Sequence, residues 1–444
     1  MEPFELVPSA KRLIKSLRDL GYDFPQAVAD IVDNSIEAKA SRVAIDVEFD
    51  GDDSWVRIAD NGKGMKPEEV REALRYGAER EYSEDDLGKF GLGLKTASLS
   101  QCQRLSLASR WNSDRADIAA FCWDLEHIEK TNRWEILPLE RNGVGPAIRQ
   151  PLKDNRGTVV LWQKLDRVLG YKHPYGEMAR KRLSQTCREI ESHLAMVFHR
   201  FLSGEMEKKR FKLLLNGNEI KPWDPFCRDE SKTKKLQSFR IPIEHNGVSG
   251  TLIFEPFVLP HQEDFSSQDA FRLASGPGNW NQQQGFYIYR AGRMIQSGGW
   301  SNLRAPDEHT KLARVAVKFS PELDEALKIN VAKMRVQLPA PIRDMVREAI
   351  GPVVRLAREV YDRKQAKAAI SLSHEKAGQK NTLSPGGPQL GSSPSVTALP
   401  TGGSSSPLLT FDQWSERLLK VASKEERAIV EPLLRRLRKP KLKR

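Results

Sequence analysis

Cysteine is scarce: the 444 residues hold only four, Cys102, Cys122, Cys187 and Cys227, and no two stand in a CxxC pair. That spacing excludes a disulfide framework and a cysteine-rich zinc site, and it fits the reduced thiols of a cytoplasmic protein. Long apolar runs are missing too. No stretch of about 18 apolar residues occurs, and the N-terminal MEPFELVPSAKRLIKSLRDL lacks the apolar core of a signal peptide. The expectation is a soluble cytoplasmic chain without a membrane span. Nor does any glycine loop run into Gly-Lys-Ser/Thr at the P-loop spacing, and no internal repeat is evident.

What the chain has in excess is positive charge. Lys and Arg number 71 against 59 Asp and Glu, giving a net charge of +12 and a pI near 9.4. Such a balance favours polyanionic partners and says nothing about fold. Part of the excess sits in Arg435 to Arg444, RRLRKPKLKR, a block that also suits a solvated tail.

At about 150 residues per domain the length predicts two or three domains. Residues 23–39 read as a helix, capped by Asp23, with Pro25 in its first turn and Ala27, Ile31, Ser35 and Ala38 at helical spacing. Alternation predicts strands in SRVAIDVEF and SWVRIAD, the second placing Val56, Ile58 and Asp60 on one face. Further strands are predicted at 104–110, 116–123 and 157–163, closing an α/β domain over 1–170.

A helix over about 175–204 follows, and FKLLLNGNEI, with Asn216-Gly217 at its turn, reads as the opening of a second sheet domain, 171–340. That domain would include strands at 285–295 and 312–320, with a helical region over 341–376. Residues 377–408 are dominated by Gly, Ser and Pro and read as a disordered linker. Residues 409–444, with Phe411, Trp414, Leu418, Leu419 and Val421 near helical spacing, would form an amphipathic element bearing the basic tail.

Three motifs in the first domain carry chemistry. Asp30 and Asn34 stand one helical turn apart, a carboxylate able to orient or deprotonate a water beside an amide oxygen able to ligate Mg²⁺. A polar pair at that spacing also suits a solvated helix face. Asp60-Asn61-Gly62-Lys63-Gly64-Met65 follows a buried strand, where a carboxylate can accept from an adenine amino group and Gly62 and Gly64 let backbone approach the base. The same string is good turn chemistry. Gly88-Lys89-Phe90-Gly91-Leu92-Gly93-Leu94-Lys95 opens a helix with three glycines, so that backbone N–H groups can face phosphates, and the polar Arg75 to Leu87 before it suits a lid.

In order, DxxxN, DNGKGM, GKFGLGLK and Gly157-Thr158 resemble the four nucleotide-binding motifs of the GHKL ATPase superfamily, which includes gyrase B, the chaperone HtpG, histidine kinases, MutL and MORC. The resemblance implies an α/β (α+β) fold: a Bergerat-type ATPase domain followed by a transducer-like α/β domain. It also implies ATP and Mg²⁺ as cofactors, with Asn34 on the metal, Asp60 on adenine, Gly88 to Lys95 on the phosphates and Thr158 beside Asp60. ATP-hydrolysing members usually carry Glu where this chain has Asp30, shorter by one methylene. A misplacement of about 1 Å can cost roughly a hundredfold in rate, so slow hydrolysis is expected.

Residues 210–338 more loosely resemble the second domain of MutL, MORC and gyrase B, and Ile329 to Lys333 looks like the segment whose lysine reaches the γ-phosphate; Lys333 is the expected sensor. A histidine-kinase reading is disfavoured, because no histidine precedes the Asp30 helix and His193 and His199 lack the acidic neighbour of a phosphoacceptor. The pattern is nearest to MORC and MutL. It implies an ATP-driven clamp that self-associates on ATP binding and acts on duplex DNA, with any nuclease, methyltransferase or helicase acting in trans. By analogy a restriction or phage-defence role follows. The alternative is a chaperone-like clamp on a protein client.

Overall fold

The computed structural model describes residues 6–19, 22–78, 93–113, 117–140, 144–206, 211–245, 248–319, 321–324, 326–327, 338 and 340–362. Gly88, Lys89, Phe90, Gly91 and Leu92, most of the lid segment, the stretch Ile329 to Lys333, the linker 377–408 and the element 409–444 lie outside the described residues.

Helices α1 (Ala10–Arg18) and α2 (Phe24–Glu37) open the chain. The start of α2 is set by a reciprocal cap. The Gln26 N–H donates to Asp23 Oδ1 at 2.8 Å and the Asp23 N–H to Gln26 Oε1 at 3.3 Å, with Pro25 in the first turn. Strands β1 (Arg42–Glu48) and β2 (Trp55–Asp60) follow, then α3 (Pro67–Leu74), α4 (Gly93–Leu99), β3 (Arg104–Arg110), β4 (Ala119–Asp124) and α5 (Leu125–Thr131). Next come β5 (Leu137–Pro138), α6 (Pro146–Arg149), β6 (Gly157–Gln163), α7 (Glu177–Val197), α8 (His199–Leu202), β7 (Lys212–Leu215) and β8 (Asn218–Glu219).

Among the described residues these strands form one eight-stranded sheet in the order β5-β4-β3-β6-β2-β1-β7-β8. It is mixed, because β1 and β7 run parallel while its other pairs are antiparallel. Successive side chains of a strand face opposite sides, and β6 divides accordingly. Val160 and Trp162 enter the main core with residues of α2, α4 and α7, whereas Val159 and Leu161 pack on a smaller cluster with Val144, Ile148 and Leu152. The helix side of the sheet is where Val56 and Ile58 point. Asp60, two further along β2, shares that face.

FKLLLNGNEI does not open a second sheet; β7 pairs with β1, and Asn216 (φ 47°) and Gly217 (φ 82°) turn it into β8 at the edge of the first. The pattern gave the hairpin correctly, but hydropathy alone does not say which strand a hairpin joins.

The second sheet contains β9 (Lys234–Lys235), β10 (Phe239–His245) and β11 (Val248–Val258). After α9 (Gln268–Ala274) and α10 (Trp280–Gln283) it continues with β12 (Gly285–Arg290), β13 (Arg293–Ser297) and β14 (Ala313–Phe319). Its order is β10-β11-β14-β12-β13, with β9 on β11, and β12 and β14 are parallel. The stretch 285–295, read as one strand, is a hairpin: Ala291 (φ 45°) and Gly292 (φ 83°) form a two-residue turn in which both residues are left-handed.

Helix α11 (Ala340–Ala349) and a helical stretch over 351–362 cover one face of this sheet, packing Ile342, Val346 and Val353 on Phe254, Ile288 and Val317. The opposite face behaves differently. Tyr287, Tyr289, Met294 and Ala316 join Phe198, Phe201 and Phe226 in the core of the first sheet's helices. Two sheets therefore share one continuous apolar core through α7 and α8. Among the described residues no helix is long and apolar enough to cross a membrane.

Candidate functional site

At the end of β2, Asp60 stands opposite Thr158, the second residue of β6. Gly157 makes that approach possible: a Cβ there would lie 2.0 Å from the Asp60 carbonyl oxygen. Only glycine fits so close a crossing of two backbones. From the helix side, Ser35 of α2 donates to Asp60 Oδ2 at 3.2 Å, while the Gly62 N–H donates to Oδ1 at 2.8 Å. Burial pushes the Asp60 carboxyl up to about 6, against the opposing pull of the Gly62, Ser35 and Thr158 hydrogen bonds. Asp60 thus retains a half-buried acceptor, poised near neutrality at the mouth of the sheet.

Ser109 on β3 organises the other wall. Its hydroxyl donates to the Gly157 carbonyl at 2.8 Å, accepts from the Met65 N–H at 2.8 Å and lies 3.2 Å from Thr158 Oγ1. A serine hydroxyl has one proton, here given to Gly157, so Thr158 is the donor in the remaining contact. The lone pairs of Thr158 Oγ1 are left for another partner. Gly64 (φ 69°) turns the chain tightly against β3, where a Cβ would lie 2.2 Å from the Arg110 carbonyl oxygen.

Along α2 the polar side chains separate by burial. Asn34 is exposed, whereas Asp30, one turn earlier, is only 5% exposed and Asp33 only 1%. Asp30 Oδ2 accepts from the Tyr22 hydroxyl at 2.9 Å, and a Cβ added to Gly93 at the start of α4 would lie 3.3 Å from the same oxygen. Burial first, then the Asp30 charge, hold the Tyr22 phenol far above its usual titration, so it stays a donor. Asp33 receives Arg293 Nε from β13 at 2.8 Å, and Arg293 Nη2 lies 3.8 Å from Asp30 Oδ1. Burial, and next the charge of Arg293, push His193 of α7 down to about 4, so its imidazole is neutral. Removing one member of such a buried pair costs about 3–5 kcal/mol, because the survivor is left uncompensated.

On α4, Leu94 packs against the main core and Lys95 is 2% exposed. Its ammonium donates to the Ala73 carbonyl at 3.1 Å and sits 5.8 Å from the centroid of the Tyr76 ring. Burial pushes the amine down to about 8, opposed by Glu72. The structure therefore draws Asp60, Gly62, Met65 and Thr158 into one corner, places Gly93 against Asp30, and leaves the Asn34 side chain facing outward.

Ser35, Tyr22, Ser109, Asp33 and Arg293 were not singled out from sequence. Ser35 falls within the helical periodicity of α2, where a small hydroxyl is indistinguishable from alanine. The adjacent carboxylates in Asp30-Ile31-Val32-Asp33 were the available signal for a buried cation, since acids three apart on a helix share a face. Its source, Arg293, is 260 residues away.

Residues 22–158 match the family described as histidine kinase-, DNA gyrase B-, and HSP90-like ATPase, so its bounds fall on Tyr22 and Thr158. The chain is also similar to the DNA mismatch repair protein MutL of Salmonella arizonae, 42% identical over 214 residues, which cover 47% of this chain and 30% of that protein. MutL of Salmonella heidelberg is 43% identical over 88 residues, 19% of this chain and 14% of that protein. The chain carries a GHKL-type ATPase domain with a MutL-like pattern. It spans about a third or less of the length of the MutL proteins it matches.

Proposed function

We propose that this chain is an ATP-binding, slowly hydrolysing conformational switch that acts on duplex DNA. The observation that carries the reading is the corner made by Asp60 and Thr158: a half-buried carboxylate and a hydroxyl on adjacent strands, with glycines keeping the approach open. Both groups present acceptors, which suits the amino donor of an adenine ring. Gly62, Gly64 and Met65 would form the floor beneath it. Gly88 to Lys95 would hold the phosphates, and the outward amide of Asn34 would hold Mg²⁺, which takes hard oxygen donors and keeps several waters. When bound, the metal supplies charge neutralisation at the phosphates. Asp30, the shorter acid, would orient the attacking water, and Lys333 would sense the γ-phosphate.

In this reading ATP closes the lid segment and pairs two copies of the chain into a clamp. The MutL proteins it resembles are named for DNA mismatch repair, and a net charge of +12 favours a polyanion. A nuclease, methyltransferase or helicase would act in trans, and a restriction or phage-defence setting remains part of the proposal. Phosphate neutralisation makes the test specific, because such binding weakens steeply with salt. Fluorescence anisotropy with a labelled duplex is expected to show binding that strengthens with a non-hydrolysable ATP analogue and collapses between about 50 and 200 mM salt. No binding in either nucleotide state would replace DNA with a protein client.

A further inference from the structure

We propose that Arg293 is a positioning residue for Asp30, through which the second sheet sets the competence of the nucleotide site. The inference rests on the reading of Asp30 as the group that orients water. Asp30 and Asp33 are three residues apart on α2, and both carboxylates turn inward, where water does not screen them. Two buried carboxylates so placed repel each other unless a cation lies between. Among the described residues Arg293 is such a cation, itself 4% exposed and carried in by the β12–β13 hairpin.

Its fork is used unequally. Nε is fixed on Asp33 at 2.8 Å, and Nη2 faces Asp30 Oδ1 from 3.8 Å, a distance of charge attraction rather than a hydrogen bond. The Phe198 ring lies 5.9 Å from the guanidinium carbon, and the Met294 carbonyl accepts from Nη1 at 3.4 Å. Among the described residues, Tyr22 just ahead of α2 and Arg293 from the second sheet both bear on Asp30. Gly93 lies against Oδ2. A small slide of the second sheet against α2 would move Arg293 before any residue lining the Asp60 corner. Asp33 then has a defined part: it anchors the arginine so that Asp30 feels its charge without being locked to it.

A purely structural Arg293 would neutralise Asp33 and no more, and kinetics separate the two roles. In the full chain, Arg293→Met is expected to lower kcat by about 30- to 100-fold, the scale of an ångström-level misplacement. ATP affinity should change less than about threefold, because Asp60 and Thr158 are untouched. Arg293→Lys, which keeps the charge but cannot fork, should recover part of the loss. In an Asp30→Asn background Arg293→Met should cost almost nothing further, since it acts through Asp30.

An unchanged kcat in folded Arg293→Met, or an equal loss with and without Asp30, would overturn the proposal. Should Arg293→Met fail to fold, Arg293→Lys carries the same comparison. A wild-type chain that binds ATP but never turns it over would fail the hydrolytic reading instead. The inference is then decided by chemical unfolding of the nucleotide-free chain. Midpoint shifts of Arg293→Lys and Asp30→Asn that fail to add support it, and shifts that simply add overturn it.

Discussion

The two sheets of this protein bury polar side chains in opposite ways. In the second sheet two large polar side chains, Gln284 and Arg314, are engaged chiefly by their own neighbours. Gln284 Oε1 accepts from Trp300 Nε1, the Asp307 N–H and the Thr310 hydroxyl, while its amide donates to the Asn281 and Asp307 carbonyls. Arg314, fully buried, donates to the Pro225 and Ala274 carbonyls and is walled in by Trp223, Trp280 and Tyr287. In the first sheet Asp60 and Thr158 keep acceptor capacity, and burial raises the Asp60 carboxyl to about 6. A saturated network specifies packing; one with capacity left over at an open strand end specifies a ligand. Asp33 and Arg293 belong to both, since the pair joins one region to the other.

The sharpest way to break this comparison is to disturb the saturated side. Arg314→Ala should remove a large buried side chain and orphan two carbonyls, lowering unfolding free energy by about 4 kcal/mol. ATP affinity measured in the residual folded fraction should be unchanged. Guanidinium unfolding followed by tryptophan fluorescence reads the first, and a small effect there would mean that this network is not structural. Asp60→Asn should do the reverse. Stability should stay within about 1 kcal/mol, while ATP affinity falls about a hundredfold, the value of a charge-assisted hydrogen bond.

The pH dependence of Asp60 follows from its raised carboxyl. Folded, it protonates near 6, against 3.8 unfolded, so between those values the folded state holds the extra proton. Its contribution to stability is complete below about 4 and is lost as pH rises through 6. ATP affinity should run the other way, dropping about tenfold per unit below pH 6, and Asp60→Asn should abolish that slope. Calorimetric titrations at several pH values test both, and a slope that survives in Asp60→Asn would assign the titration elsewhere.

How much of this was legible in advance differs between the two regions for the same physical reason. Helix α2, its Asp23 cap, β1, β2 and β6 follow from local signals, namely capping chemistry and two-residue alternation. Asp60 and Thr158 were readable as well, because each sits in a short string whose glycines have a backbone reason to be there. The second sheet was read only in part. Strands β10 and β11 are not read from sequence although they pair with each other locally, whereas β7–β8 is placed in the wrong sheet because its pairing with β1 spans a long separation that leaves no local trace. The residues that complete the site share that property: Ser109 meets Gly157 from 48 positions away, and Arg293 meets Asp33 from 260. Sequence named Asp60 and Thr158 and missed the groups that hold them.

The smallest expected effect sharpens the comparison at Lys95, a buried cation on the first sheet's side with the Ala73 carbonyl as acceptor and Tyr76 alongside. Burial lowers its amine to about 8 in the folded state, against 10.5 unfolded, so between those values the unfolded chain binds the extra proton. Wild-type stability should therefore rise with pH across that window, and below pH 8 the charged amine is a burden on the fold. Lys95→Met keeps a long apolar stem without the charge. It should be more stable than wild type by about 1–2 kcal/mol at pH 7, less than the full desolvation cost because the bond to Ala73 is lost. The advantage should shrink as pH climbs from 8 toward 10.5. Parallel urea titrations at pH 7 and pH 10 measure the difference, and a gap that widens with pH would show that Lys95 stabilises the fold as a cation.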